Sequence, residues 1–204
     1  MLAMIHHRLE QISVFAVWVG GATLMAAALM VTVDVIFRKA FALTMSGSDE
    51  YTGYVFAAST TWAYSYCLLH RSNIRIDALY NILPRKAAAF LDVIGLLLLF
   101  YFMGVMTYYA LNAFLESWQN NSVSITTLAT PQWIPQLFWV AGLCLFVLTI
   151  TFVTIYSIVA LLQRNWDLVG RIAGVPSISE VMKEETHGID VVLTGQDAAQ
   201  TREV

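Results

Sequence analysis

The chain has 204 residues, 58% of them hydrophobic and only 12% charged, with a formal net charge of −3 and a mean hydropathy of +0.66. A soluble domain carries about a quarter charged residues, so this composition points to a single helical membrane body rather than several soluble domains. No basic stripe offers itself to nucleic acid, and Cys67 and Cys144, far apart and without a CxxC, support neither a redox pair nor a zinc knuckle; both are expected as small buried hydrophobes.

Four apolar stretches are each long enough to cross a bilayer, which takes about 20 residues. The first runs from Ile12 to Phe37. His6, His7 and Arg8 in front of it, and Ala26, Ala27 and Ala28 inside it, imitate a signal peptide. Its apolar run outlasts a signal core of about 7–15 residues, so an uncleaved anchor is predicted. Asp34 and Arg38 close this stretch on one helix face. Asp49 and Glu50 open the second stretch, Tyr51 to Leu69, near the same surface. Arg38 is expected to pair with one or more of Asp34, Asp49 and Glu50, pinning the top of the first span to the second.

The second stretch is the least apolar, with Ser59, Thr60, Thr61, Trp62, Tyr64, Ser65 and Tyr66, and should face protein more than lipid. Gly53, Ala57, Thr61 and Ser65 recur at every fourth position in it, a narrow stripe of small side chains that lets another helix come close. Ala22 and Ala26 repeat that spacing in the first stretch. Such a stripe serves either packing within the bundle or docking onto a partner membrane protein, and the two uses are compatible on different faces.

The segment His70 to Lys86 is the densest run of charge. Ile76, Leu79 and Leu83 recur there at helical spacing, Ser72 or Asp77 is placed to cap, and Pro84 stops the run. This predicts a short helix lying on the membrane surface. The third span is Val93 to Leu115, with a start as early as Ala87, and Asp92 stands at its inner end. A polar loop follows, flanked by Trp118 and Trp133 at headgroup level. The fourth span, Ile134 to Leu162, is longer than a crossing needs and is expected to tilt or to end in the interface. Residues 1–163 thus form the transmembrane domain and 164–204 a cytoplasmic tail. In the tail Trp166 is placed as an interfacial anchor, and Ser177 with Glu180 as a capping box opening a short helix. With seven acids against four bases the tail accounts for the whole net charge, and disorder is expected after Thr186.

Lysine and arginine set the orientation. With the N-terminus cytoplasmic, the inner segments hold Arg8, Arg71, Arg75, Arg85, Lys86, Arg164 and Arg171, and the outer ones only Arg38 and Lys39. Both termini are therefore expected inside. A polar pathway through lipid normally shows ionisable residues at mid-membrane, and these spans have none there: Asp34 and Asp92 lie near ends and all four histidines lie outside. A haem-carrying bundle, a quinone-linked disulfide enzyme and a small proton-coupled exporter each lack their essential groups. No catalytic, cofactor or metal residue is predicted.

"DVIFRKAF" (Asp34 to Phe41), the pair Asp49-Glu50, "NIRIDALYNILP" (Asn73 to Pro84) and "TLATPQWIPQ" (Thr127 to Gln136) follow one another in an order that resembles the small four-helix Q subunit of tripartite ATP-independent periplasmic (TRAP) transporters. The resemblance covers about residues 10–162. It implies an all-α membrane protein that binds a large multispan subunit as a scaffold and helps dock a periplasmic substrate-binding protein. The large subunit moves organic acids such as dicarboxylates, keto acids or sialic acids on a sodium gradient. By the resemblance, Arg38, Asp49 and Glu50 match family positions, and so do Arg75 and Asp77 in the inner loop. Asn73 stands where the family usually has histidine, and "SGS" replaces the usual tryptophan before Asp49. Arg75 and Asp77 are expected to order the inner loop at its junction with the large subunit, Arg75 on a lipid phosphate or helix C-terminus and Asp77 as a cap. Positive-inside charge and simple capping account for the same two residues. The alternative function is a stand-alone four-span carrier or channel, or a scaffold of another membrane complex.

Overall fold

The computed structural model describes residues 2–72, 84–126, 128–163 and 166–174. Among these, regular structure is helical apart from one isolated bridge between Val123 and Pro131. The helices are α1 (Leu2–Phe41), α2 (Ser48–Leu69), α3 (Arg85–Gln119), α4 (Trp133–Leu162) and α5 (Trp166–Ala173). Each long helix contains its predicted apolar stretch and extends past it. Three of them, α1, α3 and α4, are long and apolar enough to cross a membrane. α2 has 22 residues, enough in length, but its hydroxyl residues and its opening Asp49-Glu50 lower its hydropathy. The predicted inner-loop helix, with Arg75 and Asp77, lies outside the described residues, as does the Ser177–Glu180 capping box.

The long helices form an open row, α1–α2–α4–α3, rather than a closed bundle. α1 and α2 run antiparallel, because Gly20 meets Ser59 and Asp34 meets Ser48. α2 and α4 run parallel: Thr61 reaches Trp139 and, one turn further along α2 and two along α4, Tyr64 meets Phe146. α3 returns antiparallel to α4, with Trp118 edge-on to Trp133 (4.7 Å) at one end and Ala89 and Val93 in one cluster with Ala160 at the other. The main core joins Leu68 of α2, Leu96 and Met103 of α3, and Leu143, Phe146 and Ile150 of α4.

α1 touches the row along one thin seam. Leu9, Ser13, Ala16, Gly20, Ala27 and Asp34 are its buried positions, at steps of three and four or sums of them. Ala22 and Ala26 are exposed, so the small-residue spacing predicted for the first span is not the one that packs on α2. Gly20 is, with its would-be Cβ 3.4 Å from the Ser59 backbone and its carbonyl accepting the Ser59 hydroxyl at 3.0 Å. Cys144, expected buried, is exposed on the outer side of α4.

α5 is an element that the sequence reading did not place. Its eight residues bury Val169 and pack Trp166, Leu168 and Ile172 against α3 and α4. Arg71, just after α2, points its guanidinium at the Gly170 carbonyl of this helix (3.4 Å).

Candidate functional site

At the end of the row where α1 stops and α2 starts, a buried carboxylate organises the chain. Asp34 occupies a seam position and is 1% exposed. Its Oδ1 accepts the Met45 amide (2.5 Å), and its Oδ2 accepts the Ser48 hydroxyl (3.2 Å) and the Arg38 guanidinium (2.6 Å). One side chain thereby ties the last turns of α1 to the turn 42–47 and to the first residue of α2. Arg38 follows Asp34 by one helical turn and is 55% exposed, so its charge is shared with the surface.

The expected cross-helix role of Arg38 therefore falls to its partner. Arg38 meets Asp34 within α1, while Asp34 makes the contacts to α2. The geometry explains this. Asp34 faces the α2 seam, and Arg38, four residues on, has already turned toward the surface. Asp49 is exposed and makes no ion pair among the described residues.

Glu50 has a different task. Its Oε1 accepts the Tyr54 hydroxyl (2.7 Å), and its Oε2 accepts the Thr126 hydroxyl from the loop between α3 and α4. That loop is itself ordered. The Ser124 amide donates to the Thr130 carbonyl (2.9 Å), the Gln132 amide to the Ser122 carbonyl (2.9 Å), and Ser124 and Thr126 share a hydroxyl contact (3.0 Å). Gly47 completes the junction: its φ of +90° suits glycine, and a Cβ there would overlap the Leu128 side chain. The Thr126 hydrogen bond first, and then that of Tyr54, hold the Glu50 carboxyl below its ordinary range. A carboxylate with a depressed folded-state pKa stabilises fully above its ordinary pKa and loses that contribution as pH falls through the lowered value. The loop's resistance to protease is thus expected to be constant near neutral pH and to fall in acid. Glu50→Gln is expected to flatten that profile, and an unchanged acid transition in this variant would assign it to another group.

The predicted stripe on α2 divides. Ser65 and Thr61 are buried; Thr61 stands against α4, its hydroxyl donating to Ala57 (3.2 Å) and Ala58 (2.9 Å) carbonyls and reaching that of Trp139 (3.3 Å). Ala57 lines a cleft of about 240 Å³ with Tyr54, Gln132, Pro135, Gln136 and Trp139. Gly53 is exposed, with no atom near a would-be Cβ. Sequence reading missed the α4 side of this contact. Gly142, one turn after Phe138 and Trp139, has no side chain to cover their carbonyls, so Thr61 and the Trp62 indole (2.8 Å to Phe138) can reach them. Thr126, Met45 and Ser48 were likewise not singled out. Tyr54, four residues after Glu50, was the one partner detectable from helical spacing.

None of these groups makes a catalytic constellation, and among the described residues no cluster of His, Cys, Asp and Glu is suited to a metal ion. What they build is a rigid end to a membrane row, with charged groups beside an ordered loop. The sequence matches the family described as tripartite ATP-independent periplasmic transporters, DctQ component, over residues 27–164. No curated protein and no solved structure matches it. The match takes in α2, α3 and α4, the Asp34 and Glu50 contacts and the C-terminal third of α1, so the chain belongs to the DctQ component family of TRAP transporters and is a non-catalytic, multi-pass membrane component of such a transporter.

Proposed function

We propose that this chain crosses the membrane four times with both termini in the cytoplasm, and serves as the fixed scaffold of a sodium-coupled, binding-protein-dependent transporter for organic acids. α2 is the fourth crossing in this reading. It is packed between α1 and α4 and runs parallel to α4, so a bilayer crossed by its neighbours surrounds it as well. Residues 1–163 form the membrane domain, and the acidic tail extends from α5 into the cytoplasm. The end built around Asp34, Glu50 and the loop after α3 faces the periplasm and contributes to docking of the substrate-binding protein. Arg75 and Asp77 order the inner loop at its junction with the large multispan subunit, and membrane lipids cover the remaining apolar surface.

The observation that carries this reading is the open row. A closed bundle could wrap a pathway, but here, among the described residues, α1 packs mainly against α2, and large apolar side chains such as Phe15, Met25, Phe102 and Leu98 remain exposed along the row. An open row of this kind is suited to extending another membrane protein. The expected result is stoichiometric co-elution of the tagged chain with the large subunit encoded beside it, after extraction in mild detergent. If the chain elutes alone and the large subunit transports normally without it, the scaffold reading fails.

A further inference from the structure

α1 and α4 both pack on α2, and between them a groove of about 330 Å³ stays open. Val19 and Thr23 of α1 form one wall, Ile134 and Phe138 of α4 the other, and Ala58 of α2 the floor. The groove runs from Tyr51 and Thr130, near the end built around Asp34 and Glu50, to Trp62. Tyr51 and Trp62 are eleven residues apart on one helix, about 16 Å along its axis. Half the hydrocarbon layer is about 15 Å deep, and Trp62 stands near the middle of the apolar stretch Tyr51–Leu69. The groove therefore has the depth of one leaflet.

Its interior asks an occupant for no hydrogen bond. The Ser59 hydroxyl donates to the Gly20 carbonyl (3.0 Å), the Thr23 hydroxyl to the Gly20 (2.9 Å) and Val19 (3.0 Å) carbonyls, the Trp62 indole to the Phe138 carbonyl, and the Tyr54 hydroxyl to Glu50. At the mouth the demand is different. Tyr51 is exposed there, and its hydroxyl has no hydrogen-bond partner among the described residues. Lys39 in the last turn of α1 and Asp49 in the first turn of α2 stand at the same end of the row; both are exposed, and neither makes an ion pair among the described residues. A cation and an anion are thus left unpaired above a narrow apolar slot. Width decides what fits the slot. Over its length the volume leaves roughly 20 Å² of cross-section, against about 80 Å² for a helix about 10 Å wide. The walls also offer only a small part of the 1,200 Å² or so that a stable protein interface buries.

We propose that the groove is a binding site for one phospholipid of the periplasmic leaflet, with a zwitterionic head such as phosphoethanolamine. One acyl chain lies between α1 and α4 over Ala58. The ester groups stand level with Tyr51, whose hydroxyl donates to one of them. The head answers both free charges, its phosphate toward Lys39 and its ammonium toward Asp49, whereas a purely anionic head answers only the first. In hydrocarbon no hydrophobic drive selects one lipid over another, so retention comes from close contact on three sides of the chain and from the head. This lipid is held in place, unlike the lipid that covers the rest of the row, and it fills the space between two helices that do not otherwise support each other. The site presupposes that α2 crosses the membrane with its neighbours, as proposed above.

The test uses the full chain, co-expressed with the large subunit and placed in vesicles of phosphatidylethanolamine and phosphatidylglycerol. The probe is phosphatidylethanolamine with a photoreactive group midway along one acyl chain. Adducts on this chain are expected to concentrate in segments 19–23, 55–62 and 134–138. Ala58→Leu fills the groove from its floor and Thr23→Phe from an exposed wall position, so the second variant serves if the first does not fold. Each is expected to lower the adduct about fivefold, while Thr32→Phe, equal bulk on the same helix outside the groove, leaves it unchanged. Unlabelled phosphatidylethanolamine is expected to compete better than phosphatidylglycerol, and Asp49→Ala to remove about twofold of that preference. The proposal is overturned if adducts spread evenly over the exposed faces of the row, or if neither filling variant lowers them. It is also overturned if a photoreactive residue at position 58 crosslinks to the large subunit and not to lipid. Labelling of Ala58→Cys by a membrane-impermeant maleimide, in a chain with Cys67→Ala and Cys144→Ala, would place α2 outside the bilayer and reject the four-crossing reading together with the site. An unlabelled thiol with evenly spread adducts rejects the site alone.

Discussion

Gly142→Ala is expected to cost about 2–4 kcal/mol of stability, although it adds a single methyl group. The new Cβ would overlap the Thr61 hydroxyl and stand 2.5 Å from the Trp62 ring and 2.8 Å from the Thr61 Cβ. Nothing at that contact is the free end of a flexible chain, so α2 and α4 must separate. Overpacking of this kind costs about 1–3 kcal/mol. Separation also withdraws Trp62 from the Phe138 carbonyl and Thr61 from that of Trp139, at about 0.6 kcal/mol for each interhelical bond in a membrane. Detergent-induced unfolding followed by circular dichroism would measure the loss. A double-mutant cycle checks the mechanism. Trp62→Phe is expected to be destabilising while Gly142 is intact and nearly silent in the Gly142→Ala background, because the bond it removes is already broken there. Equal costs in the two backgrounds would mean that the helices remain in contact.

Asp34→Ala is expected to cost about 2–3 kcal/mol, the range for breaking hydrogen bonds to a buried charged acceptor. It strands the Met45 amide and the Ser48 hydroxyl and leaves Arg38 without its counter-ion. Asp34→Asn retains one oxygen and is expected to lose about half as much. Arg38→Ala is expected to lose under about 1 kcal/mol, because the guanidinium is largely in contact with its surroundings and can be solvated. Resistance of the turn 42–47 to protease should rise in the order Asp34→Ala, Asp34→Asn, Arg38→Ala. If Arg38→Ala proved as damaging as Asp34→Ala, the ion pair rather than the helix junction would be the stabilising element.

Asp34 and Gly142 show how differently the importance of a residue is encoded. Asp34 is conspicuous as the single carboxylate in a long apolar stretch, and its spacing to Arg38 announces a shared face. Its link to Met45 and Ser48 is hidden, because a turn's path is not written as a periodicity. Gly142 carries no signal at all. A glycine inside an apolar helix is ordinary until the neighbouring helix is seen to need its vacancy.

The same division holds for the fold. Sequence alone determined that this is a helical membrane protein, where its long helices run, that α2 is the polar one, and that no charged residue stands in the middle of the long apolar stretches. Each follows from a local cause: helix length against bilayer thickness, and the cost of charge in hydrocarbon. Tertiary structure decided the order of the row, the parallel pairing of α2 with α4, the latch from Glu50 to Thr126, and the docking of α5. Those depend on which of several apolar faces meet. In lipid all apolar faces are alike in hydrophobicity, so the choice falls to small residues and hydroxyls matched across chain-distant helices, a complementarity that no single helix carries.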